Sequence, residues 1–276
     1  MRNFSTVSKQ KLTQTLLPHG YKNWKSVLYK LEDDICIFVR AKGEFSRMGS
    51  AIFTYIDLFP YCINLIMDEE EFDPKEPGFD MYYMLQRLNP IKFTQEYYID
   101  NVVRASSEEG ILRNLDSICE ILEDYIVPYV QKLVDLEYYY SEYPILLELR
   151  GDKNPYARED MFGVSVKLHK YDNAMIYLDR MTEMHKKSID YAKSELSELR
   201  AGTISESLAI VEKRNPDIVE AKKRSAERAI IYREEEIRKI QVMEEALRSN
   251  NHEYLEKYIN ETEAGNREFL RKMLGC

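Results

Sequence analysis

The sequence predicts an α+β protein, with an N-terminal antiparallel sheet covered by helices and then an all-α helical domain. Short runs rich in aromatic and β-branched residues crowd positions 24–67, which is strand chemistry. Beyond Ser106 the apolar positions recur at helical spacing. A chain of 276 residues with 44% hydrophobic content suits two globular domains. The expected division is a mixed domain over 1–140 and a helical domain over 141–276.

The first element is a helix from Ser5 to Leu17, stopped by Pro18-His19-Gly20. Trp24–Leu31 reads as a strand, and Glu32-Asp33-Asp34 as a turn. Ile35–Ala41 (ICIFVRA) is a nearly continuous apolar run, which implies a central strand buried on both faces. Gly43–Gly49 reads as a loop, with further strands at Ala51–Leu58 and Cys62–Met67. Sequential strands of this kind pair as an antiparallel meander. Residues 68–80 form an acidic, proline-bearing loop, and periodicity does not decide between helix and strand for Met81–Leu88 and Lys92–Ile99. Ser106 with Glu109 three residues on makes a capping box for a long helix over Ile111–Leu133, which Pro128 kinks or splits.

The second half reads as helix after helix: Tyr156–Lys170, Tyr171–Leu199, Ile204–Arg214, Pro216–Arg248, Glu253–Ile259 and Ala264–Leu274. Asn215 as cap and Pro216 at the first position start the long one. That helix carries acid-before-base pairs Glu220/Arg224, Glu234/Arg238 and Glu235/Lys239. Its apolar stripe is narrow enough to serve one neighbour. The segment around Phe162–Leu178 resembles one tetratricopeptide unit, but a solenoid needs about three, so an ordinary helical hairpin is expected.

Net charge is −9, with −7 in residues 1–140 and −2 in residues 141–276. An acidic chain without a basic stripe argues against nucleic-acid binding. The apolar stretch Ala51–Met67 is broken by Asp57, Pro60 and Asn64, so no membrane span is expected. The first twenty residues lack a signal-peptide core, so a cytoplasmic location is expected. Four cysteines without a CxxC spacing read as reduced and mostly buried.

Several residues carry a resemblance: Leu17-Pro18-His19-Gly20-Tyr21-Lys22, then Trp24 and Tyr29, the Asp-Asp turn, ICIFVRA, and Ile126-Val127-Pro128-Tyr129-Val130. In this order they resemble a bacterial family known as domain of unknown function 4304, over about residues 1–140. The resemblance implies an α+β fold in a bacterial protein and carries over no catalytic residue.

Candidate chemistry is sparse. Asp68, Glu69, Glu71 and Asp73, with Glu70 between them, form the densest carboxylate cluster and could offer oxygens to a hard cation, though their spacing matches no EF-hand. With Asp57 they define one alternative, a metal-dependent hydrolase. His169 and His185 fall in one predicted hairpin and lack the cysteine or carboxylate that a zinc site would add. Gly43–Ser50 could cradle an anion, but lacks the lysine and the following helix of a phosphate loop, and a hairpin loop is the simpler reading. No cofactor is expected.

Tyr138-Tyr139-Tyr140-Ser141-Glu142-Tyr143-Pro144 is the most unusual stretch, because three successive aromatics cannot share one buried face on any regular element. Tyr143 before Pro144 is biased towards extended backbone and should end its element. Tyr138, Tyr139, Tyr140 and Tyr143 are therefore the expected binding residues. The expected function is a non-enzymatic protein–protein interaction or regulatory protein, of a kind that could neutralise a toxin. A second alternative is a helical oligomerisation module, a homo-oligomer through helix 216–248 with Ile230, Ile237, Ile240 and Leu247 as its seam.

Overall fold

The structure, a computed structural model, describes residues 4–46, 49–63, 79–105, 107–151, 159–202, 215 and 217–276. Ser8, Leu12 and Leu16 recur every four residues and are all buried, which gives the helix α1 (Phe4–Leu16) its inward face. A 3₁₀ turn at Leu17–His19 follows, and Gly20, at φ 87°, closes it by donating its N–H to the Leu17 carbonyl at 3.0 Å. Only glycine takes that left-handed conformation without a Cβ penalty.

The strands are β1 (Lys22–Trp24), β2 (Val27–Leu31), β3 (Ile35–Ser46), β4 (Gly49–Pro60), β5 (Phe79–Asp80) and β6 (Arg104–Ala105). They pair antiparallel in the order β1-β2-β3-β4-β5, and β6 joins the same edge of β4 as β5, at Ser50 and Ala51. Ile35 to Val39 are all buried, so the central, two-sided position expected of ICIFVRA holds. Two local expectations change. Trp24–Leu31 is not one strand but a hairpin, since Trp24 pairs with Val27 across the two residues Lys25 and Ser26. Gly43 lies in β3 opposite Ile52, and the strands run on to Ser46 and Gly49, so most of the expected loop is ladder.

One sheet face carries Ile37, Val39, Ile52 and Ile56, and α1 packs against β2 and β3 while α4 (Glu108–Ile121) packs against β4. The N-cap of α4 is Ser107, whose hydroxyl accepts the Gly110 N–H at 3.0 Å; Ser106, the expected cap, lies outside the described residues. Helix α2 (Met81–Leu88) is capped by Asp80, and the short α3 (Gln95–Tyr98) by Thr94. After α4 the helical path continues through a π turn, Leu122–Ile126, into α5 (Val127–Leu133). Pro128 has no N–H to give the preceding turn, and the chain widens there instead of breaking.

Helix α6 (Leu136–Leu149) contains Pro144 in its interior, so Tyr143 does not end the element as expected. Tyr139, Tyr143, Leu146 and Leu147 are buried along one side. Their burial outweighs the roughly 3 kcal/mol that an interior proline costs.

Contacts divide the chain into two compact units, Met1–Pro155 with Ile259–Cys276, and Tyr156–Tyr258. The division expected at 140/141 thus differs from these units, and the last 18 residues belong with the sheet. The second unit holds α7 (Glu159–Lys167), α8 (Tyr171–Arg200), α9 (Ile218–Arg248) and the start of α10 (His252–Leu274). Asn215 is not the cap of α9, which begins at Ile218 after Asp217. Residues 204–214, expected helical, lie outside the described ones.

Helices α8 and α9 run antiparallel: Arg200–Glu227 and Glu195–Lys222 join the end of α8 to the start of α9, and His185–Arg233 lies earlier on α8 and later on α9. Buried Leu178, Met181, Ile189, Ala192 and Leu196 of α8 belong to this core with Ala226, Ile240, Met243 and Leu247 of α9. Among the described residues α9 carries Glu220–Lys223 and Glu236–Lys239, three residues apart, and Glu244–Arg248, four apart, in place of the expected pairs; Arg238 instead bonds the Glu234 carbonyl. Helix α10 is continuous through Gly265, where a break was expected. No described helix is long and apolar enough to cross a membrane.

Candidate functional site

The Tyr-rich segment is split by helical geometry. Steps of 100° put Tyr139 and Tyr143 on one face, where they stack at 4.6 Å and 22°, and Tyr143 meets Phe79 edge-on at 5.5 Å. Both rings are core. Tyr138 and Tyr140 remain half-exposed. Tyr138 lies edge-on to Tyr129 at 6.3 Å, beside a half-buried ion pair in which Arg87 donates to both Glu142 oxygens at 2.7 and 2.9 Å. The Tyr129 hydroxyl completes it by donating to Glu142 Oε2 at 3.1 Å. The Arg87 guanidinium holds the Glu142 carboxyl below its usual range, against the opposing effect of burial. This network ties α2, α5 and α6 together.

The same network leads to a surface that the sequence reading missed. Beyond Arg87, α2 ends at Leu88, and Asn89-Pro90 turns the chain towards α3. The Asn89 side chain accepts the Lys92 N–H at 2.9 Å, and its carbonyl accepts the Phe93 N–H at 3.0 Å. Phe93 is fully buried and meets Tyr97 at 6.0 Å and Tyr125 at 5.1 Å, both edge-on. The Lys92 ammonium lies over Phe93 and Tyr125 and bonds the Tyr125 hydroxyl. On this fixed turn Ile91 is 89% exposed, with Leu88 and Tyr97 each 39% exposed. The signal was available in Asn89-Pro90, a turn dipeptide followed by an apolar residue at the tip.

Asp68, Glu69, Glu71 and Asp73 are outside the described residues. No grouping of three metal-binding side chains occurs among the described residues. His169 contacts Tyr171 at 2.9 Å, whereas His185 lies about 14 residues into α8, roughly 21 Å further along, and meets Arg233 at 3.2 Å. Arginine only donates, so His185 Nδ1 accepts and Nε2 carries the proton. Burial, with the nearby Arg233 charge, holds its pKa below the ordinary value. Ile240 and Leu247 of the expected seam are buried in the α8–α9 unit, with Ile230 and Ile237 half-buried. Cys36 and Cys62 are buried, Cys119 is half-buried and Cys276 exposed, all as free thiols. Burial pushes the Cys36 thiol well up, which suppresses its reactivity.

Comparison with family models, curated proteins and solved structures returns no match for this chain.

Proposed function

We propose that this is a non-catalytic interaction protein that binds a protein partner through the α2–α3 surface, with Ile91 as anchor and Leu88, Tyr97 and Tyr125 around it. The observation that supports the reading is an apolar side chain almost wholly in solvent on a turn that is capped, hydrogen-bonded and seated on the Phe93 core. An isolated exposed apolar residue is ordinary; one held rigid among aromatic rings and the cations of Lys92 and Arg87 has the make-up of an interface centre. Rigidity matters because a preordered anchor loses little conformational entropy on binding. Tyr138, beside Arg87, is assigned to the margin of this surface.

The test is a photo-crosslinking residue at position 91 in cells, with position 242 on α9 as a control that is also exposed. A discrete protein adduct is expected at 91, absent at 242 and reduced at least tenfold by Tyr97→Ser. Loss of a buried anchor costs about 2 kcal/mol or more, which is roughly thirtyfold in Kd. No adduct at 91, or the same adducts at both positions, would rule the reading out.

A further inference from the structure

Away from this surface, the outer side of α1 and the tip of the β1–β2 hairpin enclose a groove of about 510 Å³, lined by Thr6, Lys9, Gln10, Thr13, Lys25 and Ser26 among others. We propose that this groove binds a small phosphorylated or sulfated molecule. Its lining offers two ammonium groups, three hydroxyls and side-chain amides, and no carboxylate. In a chain with 48 acidic against 39 basic side chains, a concave surface holding only cations and neutral donors stands out. Neither Lys9 nor Lys25 forms an ion pair among the described residues. The volume is that of a small-molecule site, larger than a bare phosphate needs, and lysine binds phosphoryl oxygens as a point charge without fixed geometry.

The hairpin tip supplies a second observation. Lys25 adopts φ 50°, in the left-handed region, at the first position of a two-residue hairpin loop. Glycine or asparagine is usual there, and a lysine is strained. The strained backbone is fixed by the groove itself, since Lys9 donates its ammonium to the Lys25 carbonyl. Thr13 donates to the Asn23 side chain at 2.9 Å, a second tie from α1 to the hairpin. The Lys25 ammonium rests 4.3 Å from the centroid of Trp24, the chain's single tryptophan. An anion in the groove draws that ammonium off the ring, so Trp24 emission reports occupancy.

The experiment titrates the full chain with inorganic pyrophosphate at low ionic strength, following Trp24 fluorescence, with sodium chloride at matched ionic strength as reference. A saturable change is expected with pyrophosphate and not with chloride. Because the Lys25 variants remove the cation that Trp24 senses, the variants are compared by isothermal titration calorimetry, in which Lys9→Gln and Lys25→Gln should each weaken binding at least fivefold, while Lys22→Gln, on the adjacent strand but outside the groove lining, leaves it unchanged. Lys25→Gly separates binding from folding, because relieving the left-handed strain should raise the melting temperature while binding falls. A non-saturable response, equal responses to chloride, or equal losses in Lys22→Gln and Lys25→Gln overturn the proposal.

Discussion

Asp57 illustrates how one side chain's surroundings decide its chemistry. It lies on β4 opposite Phe38, on the face that also carries Arg40 and Tyr55. It is buried, and its Oδ2 takes no hydrogen bond among the described residues. Burial pushes its pKa up to about 7, against the opposing pull of Arg40 and Arg150. Linkage fixes the sign of its effect on stability. Between its ordinary pKa near 3.9 and about 7 the native state holds a proton that the unfolded chain has released, so stability falls as pH rises through that window. Asp57→Asn removes the titrating group and keeps the shape. The variant should match the parent near pH 4 and be more stable at pH 8 by about 4 kcal/mol, seen in parallel thermal melts. A variant that melts lower at both pH values would mean that Arg40 and Arg150 hold the carboxylate ionised.

At the scale of elements, Gly265 gives a prediction free of packing effects. It lies inside α10 with open space where a Cβ would go. Gly265→Ala should therefore stabilise by about 0.5–1 kcal/mol through lost freedom of the unfolded chain, a rise of roughly 2–4 °C in Tm. Unchanged or lower melting would show that the helix is not formed there in solution. The glycine also explains one misreading, since a mid-helix glycine costs too little to stop a helix whose apolar face is buried. Pro144 was misread for the same reason: buried Tyr139, Tyr143, Leu146 and Leu147 override a local breaker. The ICIFVRA strand was legible because burial on both faces writes a continuous apolar run. The Lys25–Ser26 turn was not, because no glycine or asparagine marks it. The α2–α3 surface was legible only in its turn. A single apolar residue such as Ile91 differs from a core residue by its exposure alone, and exposure is not written in the sequence.

For the whole molecule, the last 18 residues are the part least readable from the chain. The apolar spacing of α10 predicts a helix with one buried face and says nothing of which surface it covers. Leu270 and Leu274 cover Val27, Tyr29, Cys36 and Phe38, on the sheet face opposite α1. Polar ties fix the register, with Trp24 Nε1 donating to the Met273 carbonyl at 2.9 Å and the Asn266 amide donating to the Tyr61 carbonyl at 2.8 Å. The N-terminal sheet is thus closed by the C-terminus, and residues 1–155 do not make a complete core without it. Loss of each leucine costs about 2–5 kcal/mol, and a domain has only about 5–15 kcal/mol in total. A chain ending at Tyr258 should therefore lose the cooperative melting of the sheet unit, with Trp24 emission shifted to the red. Leu270→Ala, a milder change, should keep the fold but lower its stability by about 3 kcal/mol and speed alkylation of buried Cys36. Ile176→Ala, at an exposed position on α8, should leave that alkylation rate unchanged. If the truncated chain melts as the full one does and Cys36 stays protected, α10 is an accessory to the sheet and not part of its core.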